Sequence, residues 1–443
     1  MTNAALGGDG AVRPAPPPKA GIRVILSDPA VRVAILIVFV IMAGFGIVAP
    51  ILPLYARSFG VSYQTASLLI SGFALARLIV DPFAGPLIDR YGERFASVSG
   101  AMLVGVSSFL TGIAPNFTMA VLLRAVGGAG SSVLFAALYS YLLKVVPSDR
   151  MARTLSLFFG ALQIGIIAGG PLGGVLADAL GLRAPLFVYA GLCLVAGVLY
   201  LRFMSDPAPA GAGPRGDAVS AEGPGWRGTL RQARELLRNP AFLTVIVLNM
   251  AFYWILAGGY DTLVPLFGAE GLGMSEAGVG ALFGLAVFGE FLVVYGAASI
   301  ADRVGRKPVL LVGLTALGLM MAADGWARTP VALGIMIFAT GLASGSVVAA
   351  PGAILSDLVP GGGTGVSVGL FRFAGDLGFV LGPTVAGLAT GAFGFRVAFA
   401  LMAAPVAVAL ALVLRTPETL RRGTGAGVAR PIRPIERSPL GEG

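Results

Sequence analysis

Apolar residues run along this chain in twelve long stretches, at about 33–56, 62–84, 95–114, 117–146, 154–179, 184–204, 241–268, 276–300, 308–327, 331–351, 366–391 and 395–415. Each is long enough to cross roughly 30 Å of hydrocarbon as a helix. With both termini placed inside, the inner loops and tails hold nearly all the basic residues, among them Arg13, Lys19, Arg23, Arg32, Lys144, Arg150, Arg153 and six arginines from Arg202 to Arg238. The outer loops receive only Arg57, Arg183, Arg328 and Arg396, so the positive-inside rule sets the orientation. The pattern therefore predicts an all-α membrane protein of twelve transmembrane helices in two six-helix bundles, with both termini cytoplasmic. It divides into a cytoplasmic N-terminal tail (1–32), a first bundle (33–204), a cytoplasmic linker (205–240), a second bundle (241–415) and a cytoplasmic C-terminal tail (416–443). The linker is rich in Gly, Pro, Ala and Arg and ends in a basic amphipathic stretch (Arg231, Arg234, Leu236, Leu237) expected along the membrane surface. The first apolar stretch, behind a Pro-rich leader, is too long for a signal-peptide core and is expected to stay as a helix.

Composition agrees: 56% of the residues are apolar and 12% charged, where soluble domains carry about 25% charged residues. There is no His and one Cys, Cys193, which excludes an internal disulfide, a His or Cys zinc cluster and a His-based triad. Proton chemistry then falls to Asp, Glu and Arg. The net charge of +9 reads as an orientation signal, not a nucleic-acid surface. Gly361-Gly362-Gly363-Thr364-Gly365 lacks the Lys and strand of a phosphate loop and reads as an inner turn. Without a nucleotide site, no cofactor is expected and an ion gradient or the substrate's own gradient is the driving force.

The chain repeats itself. A shift of 213 residues carries Asp89-Arg90-x-Gly92-x-Arg94 onto Asp302-Arg303-x-Gly305-x-Lys307, Gly181-Leu182-Arg183 onto Gly394-Phe395-Arg396 and Pro147 onto Pro360; a shift of 212 carries Gly170-Pro171 onto Gly382-Pro383. Duplicated halves place a substrate site near the midplane between them.

At these residues the sequence resembles the major facilitator superfamily, over the whole chain apart from tails and linker. Gly85-Pro86-Leu87-Ile88-Asp89-Arg90-Tyr91-Gly92-Glu93-Arg94 is similar to that superfamily's loop signature between helices 2 and 3. The resemblance implies an inner gate at Gly85, Asp89, Arg90, Gly92 and Arg94 and at Asp302, Arg303, Gly305, Arg306 and Lys307, with glycine allowing close helix contact and the arginines as latches. Arg124-Ala125-Val126-Gly127-Gly128 resembles the Arg-x-x-Gln-Gly motif of helix 4, with Gly where the family has Gln. Gly160 with Gly169, Gly170, Pro171 and Gly174 resembles the helix-5 motif of the twelve-helix drug:proton antiporters, and Val80-Asp81-Pro82-Phe83-Ala84-Gly85-Pro86-Leu87 is similar to vesicular amine transporters of that branch.

Charges inside apolar spans are functional candidates, since they are costly unless paired or facing water. Helix 2 carries Arg77 and Asp81 and helix 11 carries Arg372 and Asp376, each pair spaced i,i+4. Counting helical rise, Arg77 falls level with Asp376 and Asp81 with Arg372, roughly 10–18 Å above the inner surface. In the superfamily these two helices meet, which implies a four-residue inter-bundle cluster; the alternative is that each helix neutralises itself. Glu290 in helix 8 has no basic residue three or four positions away and maps by the 213 shift onto Arg77. It lies roughly 18 Å above Asp302, near mid-membrane. It is a candidate proton carrier or cation anchor, with Gln163 in reach in the family fold; the alternative is a packing carboxyl. Asp261, beside Tyr260 and after Tyr253 and Trp254, suits a lipophilic cation or, as an alternative, marks an interfacial aromatic belt. Arg124 either repels a proton from a nearby carboxyl or holds a substrate anion. Proton coupling is thus expected at Glu290, Asp261, Asp376, Asp81 and Arg124, and a substrate pocket at Gln163, Tyr253, Trp254, Tyr260, Asp261 and Glu290.

The leading function is a proton-coupled antiporter of a bacterial inner membrane, a monomer that exports a small lipophilic or amphipathic compound. Alternatives are uptake of a polar metabolite and a non-transporting receptor or scaffold. An enzyme is disfavoured for want of His, Cys or nucleotide-site chemistry.

Overall fold

The computed structural model describes residues 26–204, 226–359 and 365–418. The N-terminal tail up to residue 25, the linker from 205 to 225, the stretch 360–364 with the expected inner turn, and the tail from 419 onward lie outside the described residues. Among the described residues all regular structure is helical, the form in which a single apolar segment satisfies its own backbone within hydrocarbon. Among the described residues eleven helices are long and apolar enough to cross a membrane. One of them, Tyr63–Gly112, breaks at Gly92, where φ is 84° and ψ 162°. That conformation strains any residue with a side chain, so Gly92 turns one apolar run into two helices.

The result is α1 (Pro29–Val48), α2 (63–91), α3 (93–112), α4 (Phe117–Val145), α5 (Ser148–Leu180), α6 (Ala184–Phe203), α7 (Pro240–Gly271), α8 (Glu276–Val304), α9 (Arg306–Asp324), α10 (Pro330–Leu358), α11 (Gly365–Phe393) and α12 (Phe395–Arg415). Gly305, at φ 121°, separates α8 from α9 as Gly92 separates α2 from α3. A basic amphipathic helix, Trp226–Arg238, precedes α7.

Helix starts repeat between the halves. Asp28 accepts from the Ala30 amide and is followed by Pro29; Asn239 accepts from the Ala241 amide and is followed by Pro240. Ser62 and Ser275 cap α2 and α8, and Asn116 and Thr329 cap α4 and α10. Each cap satisfies an amide with no partner inside the helix and stabilises it by about 1 kcal/mol.

Within the first half α1 packs on α5 and α6, and α3 on α4 and α6; in the second, α7 packs on α11 and α12, and α10 on α8 and α9. Gly165 and Gly169 lie against the α1 backbone at Phe39, Ala43 and Ile47, and Gly378 and Gly382 lie against α7 at Met250, Trp254 and Gly258. The counterpart of Gly382 in packing is thus Gly169, at 213, and the 212 match of Gly170-Pro171 does not follow the packing: Gly170 and Pro171 face Phe283 and Gly284 of α8 instead. The segment from Trp254 to Glu270 is two residues longer than that from Ala43 to Arg57. α7 takes up the excess as π-helical turns over Ile255–Leu263 and Phe267–Gly271, a form often found where a helix carries function.

Candidate functional site

The halves meet along two seams, α2 with α11 and α5 with α8. In the first, Arg77 pairs with Asp376, and Arg372 donates to Asp81 from Nη2 at 2.8 Å and from Nε at 3.2 Å. Each arginine bonds to the carboxylate of the opposite helix. Ser132 of α4 donates to the other oxygen of Asp81. The Arg77 guanidinium lies 5.3 Å from the centre of the Phe379 ring, which in turn contacts Tyr253 of α7. Gly375, next to Asp376, leaves room for Asn249 and Tyr253.

In the second seam Glu290 is buried, and Gln163 Nε2 of α5 donates to its Oε1 at 2.9 Å while Ser344 Oγ of α10 donates to its Oε2 at 2.9 Å. Both donors are uncharged. Gly289, Gly341 and Gly345 bring the backbones of α8 and α10 together around it. The seam is tightest at its outer end, where Gly174 lies on the backbone of Glu276 and Gly280. It slackens inward: a side chain at Gly160 would meet only the Tyr295 hydroxyl, at 3.7 Å, and one at Gly296 nothing within 4 Å.

The outer end is also clasped by charge. Arg57 Nε donates to Glu270 Oε1 at 2.8 Å, and Tyr63 Oη donates to Glu270 Oε2 at 2.7 Å. Leu54 packs with Leu266 and Val279 beneath this clasp. Further in, Arg124 and Asp261 line one small cavity with Phe45, Ile70, Phe73 and Phe379.

Of the expected substrate pocket, Gln163 and Glu290 meet at the α5/α8 seam with Tyr260 close to Glu290 and Ser344, Tyr253 stands by the α2/α11 seam, Asp261 faces the cavity, and Trp254 is buried in the core of the second half. The glycine contact expected at Gly85 is absent, since a side chain there would meet nothing within 4 Å. Asp89 and Arg90 are exposed. The loop bonds tie each half to itself: Arg94 donates to the Leu201 carbonyl and Lys307 to the Leu414 carbonyl, Glu93 pairs with Lys144, and Arg306 pairs with Asp357 at 2.8 Å. Asp302 lies 4.0 Å from Arg306, and Arg303 is exposed at the end of α8. Glu418 accepts from the Arg306 and Lys307 amides at the start of α9.

The model of the Major Facilitator Superfamily matches residues 34–299 and again 262–440. The chain belongs to the Major Facilitator Superfamily. It is accordingly a multi-pass protein of the cell membrane. Among similar proteins, the quinolone resistance protein NorA of Staphylococcus aureus is 25% identical over 259 residues, 58% of this chain. The matched stretch spans 63% of NorA's length. The multidrug resistance protein MdtG of Citrobacter koseri is 27% identical over 395 residues, 83% of this chain and 90% of MdtG. The fold is that of a bacterial homologue of the human lysosomal transporter Spinster in an inward-facing, unoccupied conformation (TM-score 0.72, 15% identity, 87% of this chain and 96% of that one). It is also that of the nucleoside transporter NupG (TM-score 0.69, 13% identity, 87% and 98%).

Two features of this superfamily member escape the reading of its sequence. Asp324 on α9 is fully buried and accepts from Thr340 Oγ1 at 3.1 Å; it stands inside an apolar span, and the rule that singles out Glu290 applies to it equally. Arg57 and Glu270 lie 213 residues apart, so the repeat offset itself marks them as counterparts.

Proposed function

We propose that this transporter is a proton-coupled antiporter that exports a small lipophilic or amphipathic compound, working as a monomer by alternating access, with the proton gradient as its energy source. The observation that carries this reading is Glu290, a carboxyl at the junction of both halves whose two bonding partners, Gln163 and Ser344, are uncharged. The net charge of the α5/α8 seam is then set by whether Glu290 carries a proton. At the other seam each carboxylate already has a guanidinium partner. A proton and a substrate that favour opposite arrangements of one seam exchange across the membrane without ever binding together, and their coupling equals the difference in their affinity for the two states. Similarity to NorA and MdtG, both named for drug resistance, supports the outward direction.

The test is growth of an efflux-deficient bacterium on cationic, neutral and anionic toxic compounds, with wild type, Glu290→Gln and empty vector at matched expression. The expected result is protection by wild type that the Gln variant loses. Equal protection by the variant removes Glu290 from coupling, and no protection by wild type on any compound removes export.

A further inference from the structure

The cavity beneath the outer clasp holds a guanidinium and a carboxyl group that do not bond to each other. Arg124, from α4 of the first half, is 1% exposed, and its Nε and Nη1 have no hydrogen-bond partner. Its guanidinium lies 4.5 Å from the centre of the Phe73 ring, and the titratable groups facing it from its own half are Tyr189 and Cys193, neither a carboxylate. Asp261, from the π-helical part of α7 in the second half, is 3% exposed, and its Oδ1 has no partner. Both line the same cavity, whose remaining walls at Phe45, Ile70, Phe73 and Phe379 are apolar. Elsewhere between the halves each carboxylate has its donors, at Asp81, Glu270, Glu290 and Asp376.

We propose that Arg124 and Asp261 are the two poles of a binding site for a zwitterionic amphiphile, a flat apolar molecule with a carboxylate at one end and an ammonium at the other. Buried charge is strongly unfavourable without a partner. A monocation at Asp261 leaves Arg124 unpaired and repels it, and a monoanion at Arg124 does the same to Asp261. Only a ligand with both charges satisfies both residues, and its aromatic body meets the phenylalanine walls, where the flat face of Arg124 already stacks. Because the poles belong to different halves, such a ligand bridges them, and it enters when the halves part. The inference rests on the proposed export only for the direction of movement; binding needs no gradient.

The test is equilibrium binding to the purified full chain without a gradient, using a fluorescent aryl-piperazine carboxylic acid, its methyl ester and its N-acetyl derivative. Wild type is expected to bind the zwitterion about tenfold more tightly than either derivative, the effect of one charge-assisted bond. Arg124→Gln should erase the preference over the ester alone, and Asp261→Asn the preference over the N-acetyl compound alone, with Arg124→Lys keeping part of the first. Equal binding of the three compounds by wild type overturns the proposal, as does a zwitterion preference that survives both substitutions. If Arg124→Gln does not fold, Asp261→Asn and Arg124→Lys decide the matter. Selective binding in a chain that gives no resistance leaves the site standing and removes export; resistance with unselective binding does the reverse.

Discussion

In the α2/α11 seam Arg77 holds Asp376, and in the α5/α8 seam Glu290 is held by Gln163. These are one contact built twice: Arg77 and Glu290 are 213 residues apart, and so are Gln163 and Asp376. The backbone approach is duplicated with it, since Gly174 lies on Glu276 and Gly280 while Gly387 lies on Tyr63 and Ser67, every member again 213 from its counterpart. Geometry is common to the seams and chemistry is not. One seam is locked by opposite charges on both sides, and the other carries one ionisable group among neutral donors. Duplication supplied a symmetric frame, and divergence at four positions, with Val294 and Phe159 standing where the other seam has Asp81 and Arg372, gave its seams different chemistry. The inner clasps divide in the same way: Glu93–Lys144 and Arg306–Asp357 are equivalent pairs with their charges exchanged.

The largest break in this comparison is Asp376→Arg, which sets a third arginine into the α2/α11 seam. Removing one member of a buried pair costs about 3–5 kcal/mol, so transport should be lost and the melting temperature lowered; adding Arg77→Asp should restore a measurable part of both. Persistent loss in the double variant, against a wild-type control at equal expression, would show that the ion pair is not what joins these helices. Next in size, Gln163→Arg gives the α5/α8 seam the chemistry of the other. Glu290 then has a guanidinium partner, and substrate-induced proton release in proteoliposomes should disappear while substrate binding remains; undiminished proton release would separate Glu290 from coupling.

A smaller effect tests the common frame. Gly174→Ala and Gly387→Ala each push a methyl group into backbone or side-chain atoms of the opposite half, and overpacking of this kind costs about 1–3 kcal/mol. The two should reduce transport to a similar degree and leave the outer end more accessible to a thiol reagent at an introduced cysteine. A large effect of one and none of the other would deny their equivalence. The smallest effect belongs to Arg57→Ala. The Arg57–Glu270 pair is partly exposed, and such pairs contribute about 1 kcal/mol or less; transport should fall less than fivefold, with the difference from wild type shrinking at high salt.

Much of the frame was legible in the chain because it is local. Runs of apolar residues and the repeated motifs around Gly92 and Gly305 act within a few positions of one another. The charged positions Arg77, Asp81, Glu290, Arg372 and Asp376 were visible for the same reason, as polar groups in apolar surroundings. Hidden were the exchanged clasps, because a repeat whose charges are reversed no longer resembles itself, and the π-helical turns of α7, because nothing in the spacing of Tyr253, Trp254, Tyr260 and Asp261 announces them.

By itself the sequence determined the membrane class, the helices and the 213-residue equivalence of the halves, since hydropathy and repeated motifs are properties of neighbouring residues. Only the tertiary structure decided which charges meet. Arg77 and Asp376 are separated by 299 residues and Gln163 and Glu290 by 127, and whether they touch, or stand apart as Arg124 and Asp261 do, depends on how two bundles are placed against each other, which no local pattern encodes.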